Sequence, residues 1–165
     1  MSFEISELTA GHWAEVRAIY LEGIATGLAT FETDAPSWER WDAAHLPCCR
    51  LLAREGETIK GWAALCPVSA RSVYSGVAEV SVYVGERCRN VGLGRSLLAA
   101  LVESSEASGI WMLQASIFSE NRASVALHNA CGFREVGYRE RIARLHGRWR
   151  DTVLMERRST IVGVD

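Results

Sequence analysis

The sequence predicts an α/β (α+β) protein in which helices flank a mixed, mostly antiparallel central sheet. Two observations lead to this prediction. Two pairs of strand-like runs are joined by the short turns Glu55-Gly56-Glu57 and His146-Gly147, as in antiparallel hairpins. Between these hairpins, strand-like residues 77–84 and 110–118 are separated by a helix-like run, and a strand–helix–strand order favours one parallel pair.

Hydrophobic spacing and turn residues define the elements before Pro67. In the first helix, Trp13, Val16 and Ile19 recur at roughly helical spacing. Gly23–Pro36 has no regular period, which predicts a loop, and such loops often line functional sites. In order, these elements are a strand at Phe3–Leu8, a helix capped by Thr9, the loop, a short helix at Trp38–Trp41 capped by Ser37, and hairpin strands at Cys49–Arg54 and Thr58–Cys66.

The same criteria define the elements after Pro67. Leu97, Leu98 and Leu101 form one apolar stripe of a helix that ends at Gly109. No repeat divides the chain, so we expect a single domain over residues 1–165. In order, the elements are a loop at Val68–Gly76, a strand at 77–84, the helix after Gly94, a strand at Ile110–Phe118, a helix from the cap Asn121 to Cys131, and hairpin strands at Phe133–Leu145 and Trp149–Arg157.

Composition and charge exclude several classes of protein. The 165 residues have a formal net charge of −2 and a pI of about 6.1, so no basic field attracts nucleic acids or acidic membranes. The sequence shows neither a basic–apolar leader nor an apolar run of membrane-spanning length. We therefore expect a cytoplasmic protein without a membrane or nucleic-acid partner. Five cysteines and four histidines show no metal-ligand spacing, so we expect reduced thiols and no metal.

Residues 77–96 are the most informative segment. In its strand, Glu79, Ser81 and Tyr83 alternate with four apolar residues, so one face is polar. The turn Gly92-Leu-Gly94 then opens a helix, and backbone N–H groups at a helix N-terminus bind anionic phosphate. These features predict a site for a phosphate-bearing co-substrate beside a second substrate.

The glycine turn does not fit two common nucleotide-binding motifs. A dinucleotide fingerprint needs a third glycine, and Leu97 stands at that position. A Walker loop needs Gly-Lys-Ser/Thr, whereas this chain has Gly-Arg-Ser at 94–96. The predicted anion site is therefore expected to hold another kind of phosphate-bearing compound.

The segment Arg89-Asn-Val-Gly-Leu-Gly94 resembles the acyl-CoA pyrophosphate loop of the GCN5-related N-acetyltransferase (GNAT) superfamily. Residues 119–133, an Asn–Ser pair followed by a helix that ends in Gly-Phe, resemble its second cofactor segment. The chain is also similar to the phosphinothricin and methionine sulfoximine acetyltransferase branch, and to the related branch assigned to arsinothricin resistance. This branch resemblance rests on Ala29-Thr-Phe-Glu-Thr33, the spacing of Arg71, Tyr74, Glu79 and Tyr83, the helix with His128, and Leu145-His-Gly-Arg-Trp-Arg-Asp151.

The resemblance implies a GNAT acyl-CoA N-acyltransferase fold with a splayed parallel strand pair, and acetyl-CoA as co-substrate without a metal. The backbone of the first strand would bind the pantetheine arm, the glycine turn would bind the phosphates, and the next helix would reach the arm with side chains. The residues implied are Val82 and Val84 in the strand, Arg89, Asn90, Val91, Gly92, Leu93, Gly94, Arg95 and Ser96 in the turn, and Asn121 and Ser124 in the helix.

The acceptor amine arrives protonated and must lose a proton before it attacks the thioester. Glu79 lies on the polar strand face, but its free pKa of about 4.3 is far below that of an alkylamine, so it requires burial or a water relay. His128, where many superfamily members have tyrosine, has a free pKa near 6.5 and suits a base toward the amine or an acid toward sulfur. We expect Glu79 and His128 to handle the amine proton jointly.

Acceptor recognition is expected to depend on charge and shape. Arg71 and Tyr74, in the loop before the strand, suit a carboxylate or phosphinate group. Phe31 and Tyr83 would enclose the aliphatic part, and His146 near the hairpin tip would close over the site, from the partner subunit of a homodimer. The arginines of the final hairpin are expected to be solvated or interfacial: Arg139, Arg141, Arg144, Arg148 and Arg150.

Three functions remain open from the sequence. One is N-acetylation of small amino-acid-like acceptors such as phosphinothricin, methionine sulfoximine or an arsenical analogue, which would give resistance to such compounds. The second is acetylation of a protein N-terminus or lysine, and the third is a non-catalytic acetyl-CoA sensor. The aromatic, arginine-bearing loops favour a small pocket over a peptide groove, and a sensor would be expected to lack polar groups at positions 79 and 128. We therefore expect the first function.

Overall fold

The computed structural model describes residues 2–165, within which seven strands and four α-helices form. The strands are β1 (Glu4–Glu7), β2 (Leu51–Glu55), β3 (Thr58–Pro67), β4 (Val77–Val84), β5 (Met112–Phe118), β6 (Arg134–Leu145) and β7 (Arg148–Arg158). The helices are α1 (Trp13–Ala25), α2 (Trp38–Ala44), α3 (Leu93–Ala107) and α4 (Arg122–Ala130). No helix among the described residues combines the length and the apolar character needed to cross a membrane.

The strands form one sheet in the order β1-β2-β3-β4-β5-β7-β6. Every neighbouring pair is antiparallel except β4 and β5, which run parallel from Val77, opposite Met112, to Glu79, opposite Gln114. The predicted fold class, a mostly antiparallel mixed sheet with one parallel pair, is confirmed. The final hairpin enters the sheet through its second strand, because β7 rather than β6 pairs with β5.

Helices cover the two faces of the sheet. On one face, α3 packs its leucine stripe against the strands, and Ala78 of β4 and Leu113 of β5 are buried there. Because side chains alternate across a strand, Glu79 and Tyr83 point to the opposite face. That face packs against α1 and α2 through an aromatic cluster formed by Trp13, Tyr20, Trp38, Trp41 and Trp62.

Several element boundaries differ from those that the sequence predicts. The first helix begins at Trp13, after a 3₁₀ turn at Ala10–His12, and continues through Gly23 to Ala25. The sequence predicts a loop from Gly23, but a Cβ here would lie 2.6 Å from the Tyr83 ring, so this glycine allows α1 to approach β4 closely instead of ending the helix. Smaller shifts place the end of α2 at Ala44 and the starts of four elements at Leu51, Leu93, Met112 and Arg134.

We expect Gly76→Ala to destabilise the start of the parallel pair. The buried Gly76 carbonyl accepts hydrogen bonds from the N–H groups of Trp111 and Met112 at 2.9 and 3.0 Å, and an added Cβ would overlap the Trp111 ring. Overpacking of this kind costs about 1–3 kcal/mol of unfolding free energy, measurable by urea denaturation. Gly137→Ala in β6 is the matched control, because a Cβ there meets nothing within 4 Å. Equal stability of the two variants would contradict this prediction.

Candidate active site

The site begins where β4 and β5 separate. Their pairing stops at Glu79, so the remaining half of β4 has no partner strand on the β5 side. The Tyr83 carbonyl oxygen lies against Gly61 of β3, and the Gly85 N–H donates to the Lys60 carbonyl at 2.8 Å. Backbone groups of successive residues point to opposite sides of a strand, so those of Val82 and Val84 face the gap between β4 and β5.

The first cavity lies in this gap and has a volume of about 290 Å³. Because the strands diverge, residues from both faces of the sheet reach it, including Glu79 from β4 and His128 from α4. Glu79 is the one carboxylate in its lining among the residues that the structure describes, and no lysine or arginine lines it. The other polar groups of the lining are Thr30, Cys66, Ser81, Tyr83, Ser116, Asn121, Ser124 and Thr152.

A second cavity of about 460 Å³ adjoins the first and extends to the glycine turn. The two share the walls formed by Val82, Tyr83 and Ser124. Gly92 has a φ of 86°, a left-handed backbone conformation that favours glycine. At Gly94, an added Cβ would lie 3.3 Å from the Leu127 side chain of α4. These glycines therefore keep the backbone at the start of α3 accessible from this cavity, as anion binding at a helix N-terminus requires.

The predicted cofactor residues divide into those that line the second cavity and those that do not. Arg89, Asn90 and Arg95 line it, and the Arg89 Nε donates to the Val84 carbonyl at 3.3 Å. Three further turn residues do not line it: Val91 is exposed to solvent, Leu93 is buried in the α3 core, and the Ser96 hydroxyl donates to the Gly92 carbonyl at 3.4 Å.

Glu79 is half-buried at the wall of the first cavity. Burial raises the pKa of Glu79, and the backbone N–H of Ser116, the charge of Arg139 and the Gln114 side chain oppose this rise. Across the β3–β4 pair, Cys66 lies directly opposite Glu79. Burial and the Glu79 charge raise the pKa of the Cys66 thiol to about 11, so this thiol stays protonated at neutral pH.

His128 is oriented by a single backbone contact. Its Nδ1 lies 2.7 Å from the Ser124 carbonyl oxygen, which can only accept, so Nδ1 holds the proton of the neutral ring. Nε2 then has a free lone pair, and it is buried without a hydrogen-bond partner among the described residues. Burial also lowers the pKa of His128, which keeps the ring neutral. A neutral histidine with an unsatisfied acceptor nitrogen therefore lines the first cavity.

The loop after α1 covers the first cavity and is fixed by two distant side chains. Asn121 caps α4 through its Oδ1, which accepts from the Ser124 N–H at 3.2 Å, and its Nδ2 donates to the Leu28 carbonyl at 3.1 Å. Arg150 donates to the Gly27 carbonyl at 2.9 Å, and its guanidinium lies 4.1 Å over the Phe118 ring. Sequence reasoning missed this role of Arg150, because no local pattern links residues so far apart in the chain.

Predicted acceptor residues are only partly brought together. Phe31 and Tyr83 line the first cavity, and Phe31 contacts Phe118 edge-on with 4.7 Å between ring centroids. Arg71, Tyr74 and His146 line neither cavity. The Arg71 guanidinium lies 5.5 Å over the exposed Tyr74 ring, and His146 is exposed at the β6–β7 turn with a φ of 49°. Their substrate roles stay predictions.

Comparison with known proteins decides the family. The family model described as "Acetyltransferase (GNAT) domain" matches residues 14–154. The chain belongs to the GNAT acetyltransferase family. The resemblance noted in the sequence is thus confirmed, and this GNAT protein is an acetyltransferase.

Curated relatives of this GNAT protein fall in the predicted branch. Phosphinothricin N-acetyltransferase of Alcaligenes faecalis is 35% identical over 150 residues, covering 86% of this chain and 75% of the relative. Phosphinothricin N-acetyltransferase of Streptomyces viridochromogenes is 32% identical over 158 residues, covering 93% and 86%. L-methionine sulfoximine/L-methionine sulfone acetyltransferase of Pseudomonas aeruginosa is 40% identical over 83 residues, covering 50% and 48%.

Solved structures show the same fold. A GNAT superfamily phosphinothricin acetyltransferase from Sinorhizobium meliloti, in complex with acetyl-CoA, superimposes with a TM-score of 0.89 at 28% identity, covering 100% of this chain and 92% of the other. A ribosomal-protein-alanine N-acetyltransferase from Brucella melitensis superimposes with a TM-score of 0.86 at 28% identity, covering 94% and 99%. Proteins named for a small acceptor and for a ribosomal-protein acceptor therefore superimpose on this chain about equally well.

Proposed function

We propose that this GNAT protein transfers the acetyl group of acetyl-CoA to the amine of a small amino-acid-like acceptor of the phosphinothricin, methionine sulfoximine, methionine sulfone or arsinothricin type. The main support is that two adjoining cavities meet beside Val82, one at a glycine turn suited to phosphates and one lined by Glu79 and His128. The names of the relatives support the acceptor class. The small volume of the first cavity, about 290 Å³, also favours a small acceptor over a peptide.

The second cavity fits the predicted co-substrate. Free backbone groups in the strand gap suit the amides of a pantetheine arm, which would add to β4 as an extra strand. The backbone N–H groups at the start of α3 suit its phosphates. When bound, acetyl-CoA supplies an activated acetyl group as a thioester. The residues that would hold it are Val82, Val84, Arg89, Asn90, Val91, Gly92, Leu93, Gly94, Arg95, Ser96, Asn121 and Ser124.

The residues of the first cavity would prepare the amine. Glu79 attracts the acceptor ammonium group, because it is the one carboxylate in the described lining. His128 offers Nε2 as a proton acceptor, since Nδ1 is committed to the Ser124 carbonyl. The two groups therefore take up the amine proton jointly and leave a neutral amine facing the shared wall of the cavities. Phe31 and Tyr83 enclose the aliphatic part of the acceptor.

A partner subunit is part of the proposal. The edge strand β6 leaves apolar side chains exposed, including Val136, Tyr138 and Ile142 at 45%, 59% and 44%. An exposed apolar sheet edge favours association, and we propose a homodimer in which the β6–β7 hairpin with His146 approaches the partner's site.

A substrate panel tests this proposal. We expect acetyl-CoA-dependent thiol release to be fastest with phosphinothricin, methionine sulfoximine or methionine sulfone among free amino acids. Faster release with a peptide that begins with alanine would instead favour a protein acceptor, as in the name of the Brucella neighbour. If no amine raises release above background hydrolysis while acetyl-CoA still binds, the protein is a sensor and the proposal is wrong.

A further inference from the structure

We propose that Arg139 and Thr152 form a carboxylate subsite that binds the α-carboxylate of the acceptor beside its reacting amine. This inference rests on the proposed function and names the acceptor class more narrowly. It restricts the acceptor to free α-amino acids and disfavours amines, amides and peptide N-termini that lack this carboxylate.

The hydroxyl of Thr152 is the first observation. Thr152 lies within β7 and is only 3% exposed, and it lines the first cavity. Its Oγ1 is buried and has no hydrogen-bond partner among the residues that the structure describes. A buried hydroxyl without a partner is unfavourable, and a ligand oxygen in the cavity would satisfy it.

The position of Arg139 is the second observation. Arg139 is exposed and does not itself line the first cavity, but it lies directly opposite Thr152, which does, in the antiparallel β6–β7 pair. Directly opposed side chains share a face of the sheet. Phe118 of β5 is opposite Thr152 on its other side, and Gln114 of the same strand is opposite Glu79. Side chains two or four positions apart on a strand share a face, so Gln114 and Phe118 lie on the same side of β5. The side chains paired with them, Glu79, Thr152 and Arg139, therefore lie on that face too. The charge of Arg139 also lowers the pKa of Glu79.

Arg139 is free to bind an anion. No carboxylate of the described residues forms a salt bridge with Arg139, whereas Arg150 pairs with Glu120 and Arg141 pairs with Glu140. The sequence predicts a solvated or interfacial Arg139, and the side chain is exposed; the register across β6 and β7 also places it on the face that holds Glu79.

A β-bulge follows Arg139 directly. The register of β6 shifts between Arg139 and Ala143, and Arg141 within the bulge has a φ of 46°. Asp151 holds the bulge, because it accepts the Arg141 N–H at 2.7 Å and the Tyr138 hydroxyl at its other oxygen. Bulges are common next to active sites, and this one interrupts the regular pairing of β6 with β7 after Arg139.

The chemistry of an α-amino acid matches this arrangement. Its carboxylate lies two bonds from the amine, so an amine held by Glu79 and His128 places the carboxylate close by. The guanidinium of Arg139 would donate to the two carboxylate oxygens, and the Thr152 hydroxyl would donate to one of them.

The test compares L-methionine sulfone with its primary carboxamide in the full-length protein. We expect the wild type to prefer the free acid by about 10- to 100-fold in kcat/KM, as a charge-assisted hydrogen-bond pair provides. Arg139→Ala should lose this preference, mostly through KM for the free acid, and should change the carboxamide rate by less than about threefold. Thr152→Val should raise KM for the free acid, and Thr152→Ser should restore it. Arg40→Ala, at an exposed position of α2 that lines neither cavity, should leave both rates unchanged.

Other outcomes overturn the inference. Equal rates for acid and carboxamide in the wild type would disprove the subsite and leave the proposed function intact. If Arg139→Ala slows both substrates equally and moves the pH profile, and Arg139→Lys restores both rates, Arg139 acts only through the charge of Glu79 and the subsite is wrong. If the wild type acetylates neither substrate nor any member of the amino-acid panel, the proposed function fails and this inference fails with it.

Discussion

Glu79→Gln is expected to lower kcat by about 10²- to 10⁴-fold, the usual contribution of a positioned acid–base group. The substitution keeps the size of the side chain and removes the charge that attracts the acceptor ammonium. Glu79 does not line the second cavity, so the dissociation constant for acetyl-CoA should stay unchanged. Steady-state thiol release and calorimetric titration with acetyl-CoA measure the two quantities. An unchanged kcat would remove Glu79 from the mechanism.

The stability of the same variant shows whether the fold is intact. Burial raises the pKa of Glu79 above the ordinary carboxyl value of 4.5, so folding favours the protonated form. Protonated Glu79 therefore stabilises the fold fully below pH 4.5, and this stabilisation is lost as the pH rises through the raised pKa of Glu79 in the folded protein. Glutamine stays neutral at every pH. We therefore expect Glu79→Gln to resist urea better than the wild type at pH 7.5 and equally near pH 4; lower stability at pH 7.5 would attribute its lost activity to misfolding.

His128→Gln is expected to lower kcat by about 10²-fold. The substitution removes the Nε2 acceptor that lines the first cavity, while glutamine fills much of the same volume. Burial lowers the pKa of His128 below 6.5, so wild-type activity should fall as the pH drops below that value and Nε2 becomes protonated.

A pH–rate profile of His128→Gln tests its role as a base. The decline below pH 6.5 should weaken, and the part that remains should belong to Glu79, whose pKa lies above 4.5. Asn129→Ala, the exposed next residue of α4, is the matched control and should keep the wild-type profile. An unchanged profile in His128→Gln would mean that His128 only packs against Phe133, with which it makes an edge contact at 5.0 Å.

Local patterns predicted most of the fold. The alternation around Glu79 indicated the polar face of β4, and the strand–helix–strand order indicated the parallel pair. Both follow from side-chain periods within single segments and from the order of those segments along the chain. Sheet order did not follow from such periods. Polar and apolar residues alternate in both strands of the final hairpin, and the two strands pair with each other. This alternation does not reveal that β7, rather than β6, also pairs with β5.

The candidate site was predictable where residues lie on one element, and less so where it depends on contacts between elements. Glu79, Phe31 and His128, which the sequence singled out, all line the first cavity, and their roles stay predictions. The tautomer of His128 depends on the Ser124 carbonyl, and the face on which Arg139 lies depends on the register between β6 and β7, so neither was visible in local sequence.

The separation of β4 from β5 divides the protein into two halves with different tolerance of mutation. In the half that faces the glycine turn, most of the proposed contacts use main-chain groups of residues such as Val82, which side-chain substitutions leave in place, and the side chains of Asn121 and Ser124 add to them. In the other half, the proposed contacts use single side chains, such as Thr152 and Phe31. Acceptor preference can therefore evolve by single substitutions while use of the acetyl donor is preserved, and an engineer changing substrate range has reason to start with β7 and the loop after α1.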